Sequence, residues 1–205
     1  MNRHFLYKLF VFASMLSLLC FGPTQVGAQG RPLPPGTGQV TITPGNPVEI
    51  AVAMWFSGWP TYQDTFDAVQ MAMNDYGPIK GFTLQHNDYD AGCSEPEGAT
   101  VGAAITAHAQ NVGVIGPLCS LSTRGTAPIL ESAGMVMISH GNTNNSLYTY
   151  GPNVFNRLVT PDPYFDPWDA KIAAQPSVAT WNTAFQTAYG HLPGDPQVKY
   201  AYDAA

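Results

Sequence analysis

Short apolar runs alternate with amphipathic helical patterns along most of the chain, and this alternation restricts the possible folds more than any other feature. The run VEIAVAMWF, at residues 48–56, is rich in Val and Ile, which is typical of a strand buried on both faces. After it, Phe66, Val69 and Met73 recur at the three-and-four spacing of an amphipathic helix. Strands that alternate with helices at this distance predict βαβ units and a mainly parallel sheet.

The rest of the chain repeats the same order. Ser94 and Glu97 have the spacing of a capping box and predict a second helix that extends to about Asn111. A third helix is predicted at residues 123–133, and Gly134 ends it. The remaining strands are predicted at residues 81–90, 112–118, 135–139 and 154–159. The predicted fold is therefore an α/β, Rossmann-like lobe with a mainly parallel five-stranded sheet flanked by helices.

The first 28 residues have the pattern of a cleaved signal peptide. Arg3 and Lys8 lie in a short basic start that precedes the apolar run 9–21, and Val26 and Ala28 suit a signal-peptidase site. A membrane anchor is an alternative, although the apolar run is shorter than the roughly 20 residues that span a bilayer. We therefore expect a periplasmic or otherwise extracytoplasmic protein.

A lipoprotein signal at Cys20 is a second alternative for the leader, but Leu19 is larger than the small residue expected there. Residues 29–47 are rich in Pro and Gly, which sustain neither a helix nor a central strand. This segment is predicted to be a linker between the leader and the lobe.

Charge and motifs exclude several classes of function. Charged residues make up only 11% of the sequence, the formal net charge is -6, and no basic run is present, so nucleic acid is not an expected partner. The sequence contains no P-loop, no G-x-G-x-x-G after the first strand and no H-E-x-x-H. Its histidines are scattered singly, so no metal site and no cofactor are predicted.

Two cysteines remain once the leader is removed, Cys93 and Cys119. An even number of cysteines in an oxidising compartment predicts a disulfide between them. Two buried free thiols are the alternative, because free cysteine is commonly buried.

Polar side chains cluster where two of the predicted strands end. Ser120 and Ser122 follow the third strand, and Thr143 follows the fourth. Ligands of open parallel sheets bind beyond the carboxyl ends of the strands, where helix N-termini favour anions. The alternative is structural, with a serine that caps the helix and a threonine that organises a turn.

Two further features allow more than one interpretation. Trp55, Trp59 and Tyr62 follow the first strand and could form the wall of an apolar ligand site or belong to the core. Ser120 and His140 supply two of the residue types of a catalytic triad, but the G-x-S-x-G elbow of α/β-hydrolases is absent. An enzyme is therefore not predicted.

Four segments together resemble a known family. IKGFTLQHNDYDAGCSEPEGA, GPLCSLSTRGTAPILESAGMVMIS, the following TN and NVFNRLVTPD are similar to the first lobe of the leucine/isoleucine/valine-binding proteins, the type I substrate-binding proteins of ABC importers. The similarity covers residues 48–162 and implies a ligand-binding α/β lobe that serves a membrane permease. It also implies a disulfide between the two cysteines.

The resemblance implies roles for individual residues. Ser120, Thr143, Gly141 and Tyr62 match positions that contact an amino acid or a similar small ligand, with Thr61 as a rival to Tyr62. His140, Gly141 and Asn142 replace the proline and small residues that are usual before the threonine. This departure leaves the identity of the solute open.

Beyond residue 162 the chain departs from the family in length. Residues 163–205 resemble the late segments of the family and are expected to form a helical remnant of the second lobe and the crossover, with most of that lobe missing. A single lobe leaves the ligand exposed to water, so weak binding is expected for this chain alone. A ligand-sensing or decoy domain without transport is the alternative function, and a hydrolase that uses Ser120 is a further one.

Overall fold

A parallel β-sheet lies at the centre of the structure, a computed structural model that describes residues 40–142, 144, 147, 155–157, 176–195 and 197–205. The predicted leader and the first part of the linker lie outside these residues. The described elements are, in chain order, β1 (Val48–Met54), α1 (Tyr62–Tyr76), β2 (Leu84–Asp90), α2 (Glu95–Ala107), β3 (Asn111–Ile115), α3 (Ser120–Ala133), β4 (Val136–Ser139), β5 (Phe155–Arg157), α4 (Pro176–Tyr189) and α5 (Gln197–Ala204).

The sheet has the strand order β2-β1-β3-β4-β5, and every described pair of strands is parallel. The predicted α/β class with a parallel sheet and flanking helices is confirmed. The predicted number of five strands is reached only when β5 is counted, because β5 is a three-residue segment that pairs with β4, whereas the other four strands have four to seven residues. A strand at the edge has one neighbour and is often short in native sheets.

The apolar composition of β1 follows from burial on both of its faces. Ala51 and Ala53 point to one face of the sheet and Val52 and Met54 to the other, and all four are fully buried. The first face is covered by α2 and α3, which contribute Val101, Ile105, Ala127 and Leu130. The second is covered by α1 and α5, which contribute Phe66, Val69, Met73 and Ala201.

Helices α2 and α3 pack closely because glycine lies at their crossing. A Cβ atom on Gly98 would lie 1.9 Å from the carbonyl oxygen of Ser122, and one on Gly125 would lie 2.0 Å from that of Glu95. The Thr126 hydroxyl, which is buried between the helices, donates a hydrogen bond of 2.8 Å to the carbonyl of Gly98. These contacts fix the position of α3 and therefore of its N-terminus.

The C-terminal helices pack against α1. Trp181 and Phe185 of α4 form a small core with Val198 of α5 and Ala68 of α1. The Tyr189 hydroxyl donates a hydrogen bond of 2.7 Å to the carbonyl of Asp67. The two helices agree with the helical character expected of residues 163–205, while residues 163–175 lie outside the described part of the chain and the assignment of this segment to a second lobe remains a prediction.

Two helix boundaries differ from the sequence prediction. The second helix ends at Ala107, and the buried Asn111 begins β3 and donates its amide to the carbonyl of Ile105 at 3.2 Å. The third helix begins at Ser120, three residues earlier than predicted. Its first turn is rich in Ser and Thr, whose weak helix propensity favours a later start, and the hydroxyls of Ser122 and Thr123 donate to the carbonyl of Cys119. None of the described helices combines the length and apolar character needed to cross a membrane.

Candidate ligand-binding site

The strand order reverses direction between β1 and β3, and this reversal locates the candidate site. In open parallel sheets, ligands bind beyond the carboxyl ends of the strands at the point of reversal. The loop after β1 leads into α1 at Tyr62, and the loop after β3 leads into α3 at Ser120. The loop after β4, which is next to β3, carries Gly141. Three of the four predicted contact residues therefore follow adjacent strands at one edge of the sheet.

Ser120 is the first residue of α3, and its hydroxyl is free to contact a ligand. Its side chain is partly exposed and makes no hydrogen bond with the described residues. The N-cap residue is Cys119, no side chain caps the helix, and its first turn contains no acidic residue. The first backbone N–H groups of an α-helix have no intrahelical acceptor, and the helix dipole adds partial positive charge there.

The structural alternative, in which Ser120 or Ser122 caps α3, does not hold, because neither side chain makes a capping hydrogen bond. Ser122 is fully buried, and its hydroxyl donates back to the carbonyl of Cys119 at 2.9 Å. Helix α2 next to it is capped in the usual way, because Ser94 accepts a hydrogen bond of 3.3 Å from the N–H of Glu97. The N-terminus of α2 thus has a capping side chain, whereas the first N–H groups of α3 have no side-chain cap and form an open N-terminus.

The predicted disulfide joins the two loops that precede these helices. Cys93 and Cys119 are bonded, with their Cα atoms 5.3 Å apart. Cys93 comes directly before the cap of α2, and Cys119 comes directly before Ser120. The bond therefore fixes the start of α3 relative to its neighbour, and the alternative of two free thiols is wrong.

A buried hydrogen bond ties the loop after β4 to the first turn of α3. The side-chain amide of Asn142 donates to the hydroxyl of Thr123 at 2.6 Å, and both residues are fully buried. The backbone N–H of Asn142 donates to the hydroxyl of Ser139 at 3.1 Å. Gly141, which is partly buried, is held between these anchors. Thr143 lies outside the described residues, so its predicted role stays a prediction.

His140 is buried in the same loop and is uncharged at neutral pH. Its side chain is completely buried, and neither ring nitrogen has a hydrogen-bond partner within the part of the chain that the structure describes. Burial lowers the pKa of His140 from 6.5 to about 4, because desolvation penalises the imidazolium. The ring is not hydrogen-bonded to Ser120, so the described residues do not assemble the pair that a serine hydrolase needs.

The aromatic loop after β1 is largely part of the core. The ring of Tyr62 stacks on Phe56 with centroids 4.8 Å apart and meets the edge of Phe66 at 5.9 Å. The hydroxyl of Thr61, the rival to Tyr62, donates a hydrogen bond of 2.7 Å to the carboxylate of Asp195. The indole N–H of Trp59 donates to the same oxygen at 3.2 Å. Tyr62 therefore lies at the edge of the sheet that carries the candidate site, with its ring packed against other aromatic rings. The hydroxyl of Thr61 is occupied by its bond to Asp195.

Comparisons with known proteins agree with the resemblance in the sequence. No protein-family model matches the chain. Leucine-specific-binding proteins from Salmonella typhimurium and Salmonella typhi are each 34% identical over 109 residues, which are 52% of this chain and 29% of the relative. The resemblance to the leucine/isoleucine/valine-binding protein family is confirmed. The chain spans less than a third of the length of these curated relatives.

Solved structures of leucine/isoleucine/valine-type binding proteins share the fold. The substrate-binding protein LivJ from Streptococcus pneumoniae, in complex with isoleucine, gives a TM-score of 0.51 at 20% identity, with 57% of this chain and 35% of that chain covered. A substrate-binding protein from Desulfitobacterium hafniense in complex with Leu gives 0.53 at 21% identity, over 73% and 50%. The leucine-binding protein LivK from Thermotoga maritima gives 0.52 at 18% identity, over 72% and 50%.

The sequence patterns did not predict the residues that pack behind the candidate site and hold its loops. The bond between Asn142 and Thr123 joins the loop after β4 to the first turn of α3, and Asp195 of the C-terminal segment accepts hydrogen bonds from Thr61 and Trp59. The polar cluster around residues 142–145 signals a special loop, but a spacing in sequence does not identify the partner of a buried amide. Such pairs become visible only once the strands are adjacent.

Proposed function

We propose that this chain is an extracytoplasmic substrate-binding component of an ABC importer. Its described lobe captures a branched-chain or related amino acid, or a similar small polar solute, without changing it. The similarity to leucine-specific-binding proteins supports this function, as do the structures that share the fold and that were solved in complex with isoleucine and Leu. The partners in this proposal are the amino acid and the membrane permease of the importer.

The observation that carries the proposal is the open N-terminus of α3 at Ser120. A free amino acid presents a carboxylate, which pairs well with unshared backbone N–H groups and a hydroxyl at the positive end of a helix. Ser120 provides that hydroxyl, and the first turn has neither a cap nor an acidic residue to compete with the ligand. We assign the ligand carboxylate to this point.

The other predicted contacts complete one wall of the site. Gly141, held by the bond between Asn142 and Thr123, offers backbone to the ligand. Thr143 supplies a second hydroxyl in the same loop, as the resemblance implies. Tyr62 contributes the exposed part of a packed ring, because its side chain is only partly buried.

The alternative functions draw less support from the described residues. A hydrolase that uses Ser120 requires a base within hydrogen-bond reach, and His140 is buried without such a bond. A sensing or decoy domain would use the same lobe and the same site. It would differ from an importer component only in the genes that lie beside its own. Reading frames for a permease and an ATPase beside the coding region are expected for an importer and not for a decoy.

Calorimetric titration with a panel of amino acids tests the proposal. The wild-type chain is compared with Ser120→Ala and with Ser132→Ala, an exposed serine of the same helix that serves as control. Loss of one hydroxyl contact at an open site costs about 1 kcal/mol, or about fivefold in affinity. Ser120→Ala is expected to weaken binding by that factor and Ser132→Ala to leave it unchanged. Equal affinities for all three proteins, or turnover of an ester substrate that Ser120→Ala abolishes, would overturn capture at this site.

A further inference from the structure

Three metal-binding side chains meet where the C-terminal segment crosses the first helix. Asp64 and Asp67 lie one turn apart at the start of α1, and His191 lies in the loop between α4 and α5. One ligand atom from each lies within 4.8 Å of the others. We propose that these three residues form a site for a divalent transition metal, with Zn²⁺ as the best match.

His191 is held in the tautomer that a metal requires. Its Nδ1 lies 2.9 Å from the carbonyl oxygen of Leu192, which can only accept, so Nδ1 carries the proton. The neutral ring then has its lone pair on Nε2, and this atom lies 3.9 Å from Oδ1 of Asp64. Metal-binding histidines usually donate their second ring nitrogen to a carbonyl or carboxylate in this way.

The two carboxylates accept hydrogen bonds from neighbouring amides and have no Lys or Arg partner among the described residues. The backbone N–H of Gly194 donates to Oδ2 of Asp64 at 2.7 Å, so the other oxygen faces His191. The amide of Gln63 donates to Oδ1 of Asp67 at 3.2 Å. In the described part of the chain, neither carboxylate forms an ion pair with Lys or Arg. Asp64 is only 8% exposed, and a buried carboxylate is stabilised by a cation.

The donor set selects the kind of ion. One imidazole and two carboxylates leave an open position for water, as in three-ligand zinc sites. Mg²⁺ and Ca²⁺ prefer sites built from oxygen alone. Ligand atoms about 2.1 Å from zinc lie roughly 3.4 Å apart, so the three atoms must approach one another by up to about 1.4 Å. The side chain of His191 is 53% exposed and has the freedom to make this movement.

An ion at this site ties the C-terminal segment to the ligand-binding lobe. The same loop is already attached at Asp195, which accepts hydrogen bonds from Thr61 and Trp59. Gly194 is close enough to α1 that a Cβ atom there would lie 2.1 Å from the Thr61 methyl group. The metal adds a third attachment beside the loop that follows β1.

Isothermal titration of the metal-stripped full chain with ZnCl₂ tests the site. We compare the wild type with His191→Ala, Asp67→Asn and His108→Ala. His108 is the matched control, because its side chain is 40% exposed and pairs with Glu49 at 2.7 Å. Circular dichroism of each variant in EDTA establishes that it folds.

The site predicts one Zn²⁺ per chain, no uptake of Mg²⁺ or Ca²⁺, and a higher melting temperature with Zn²⁺. His191→Ala and Asp67→Asn are expected to weaken Zn²⁺ binding by about tenfold or more and to remove the rise in melting temperature. His108→Ala is expected to behave as the wild type. The proposal is overturned if the wild type takes up no Zn²⁺, if His191→Ala binds as tightly as the wild type, or if His108→Ala is the variant that loses the ion.

Discussion

The side-chain amide of Asn142 donates a hydrogen bond of 2.6 Å to the hydroxyl of Thr123, so the loop after β4 is attached to the first turn of the helix that starts at Ser120. Thr123 in turn donates to the carbonyl of Cys119 at 3.1 Å. Asn142 and Thr123 are fully buried, and Cys119 is also the residue that forms the disulfide with Cys93. The candidate ligand contacts are thus held by a connected group of covalent and hydrogen bonds beneath them.

Replacement of Thr123 by Val tests this connection. The change preserves the shape of the side chain but leaves the buried amide of Asn142 without its hydroxyl acceptor, which costs about 1–3 kcal/mol. Thr123→Val is expected to lower the free energy of unfolding by that amount, as measured by urea denaturation. Thr100→Val is the control, because the Thr100 hydroxyl is bonded within its own helix, to Pro96, at an exposed position. Equal stability of the two variants would contradict a supporting role for the pair.

The disulfide is expected to contribute substantially to stability. It joins residues separated by 26 positions, and closure of a loop of that length restricts the unfolded chain by about 3.5 kcal/mol. The double variant Cys93→Ala with Cys119→Ala is expected to lose up to this amount in chemical denaturation. Dithiothreitol should lower the free energy of unfolding of the wild type to a value near that of the double variant. It should leave the stability of the double variant unchanged. A variant as stable as the oxidised wild type would contradict this expectation.

Burial of His140 predicts a loss of stability in mild acid. Its pKa is lowered to about 4 in the folded chain and returns to about 6.5 on unfolding, so the unfolded state binds the proton first. Stability is therefore unaffected above pH 6.5 and falls as the pH drops from 6.5 toward 4, by about 2 kcal/mol at pH 5.

The variant His140→Leu isolates this effect from the other histidines. Its free energy of unfolding is expected to fall less than that of the wild type between pH 8 and pH 5, by the same 2 kcal/mol. Chemical denaturation at both pH values provides the measurement. Parallel losses in the two proteins would show that His140 does not titrate as described.

The contact between α2 and α3 predicts that Gly125 does not tolerate a side chain. An alanine Cβ there would lie 2.0 Å from the carbonyl oxygen of Glu95, so the two helices must separate. Overpacking of this kind costs about 1–3 kcal/mol and outweighs the gain in helix propensity. Gly113→Ala is the control, because its Cβ would lie 3.5 Å from the nearest backbone oxygen, that of Val136. Gly125→Ala is expected to have a lower melting temperature than Gly113→Ala. Equal melting temperatures of the two variants would contradict the close packing of α2 and α3.

Local patterns were sufficient to predict the class of fold. Residues 48–54 of the apolar run form β1, which is buried on both faces, and Ser94 caps α2 through Glu97 as the spacing indicated. The start of α3 at Ser120 was missed because Ser and Thr have weak helix propensity, and their bonds back to the carbonyl of Cys119 appear only in the folded turn. The sequence likewise gave no reason to expect that β5 has three residues, because the length of an edge strand depends on its neighbour.

The candidate site was predictable only in its position. Parallel strands bring Ser120 and Gly141 to one edge, and that follows from the order of strands and helices. The bond between Asn142 and Thr123, the burial of His140 and the meeting of His191 with Asp64 depend on contacts between segments far apart in the chain. No periodicity or spacing encodes contacts of this kind.

The central claim is that the open N-terminus of α3 binds the carboxylate of a free amino acid. Two-dimensional NMR of the isotopically labelled chain, titrated with L-leucine, tests it most directly. Dose-dependent shifts are expected in the amides of Ser120, Leu121 and Gly141, with a dissociation constant weaker than about 1 μM because the single lobe leaves its hydrogen bonds open to water. Amide shifts confined to other parts of the chain, or submicromolar binding that Ser120→Ala leaves intact, would contradict the claim.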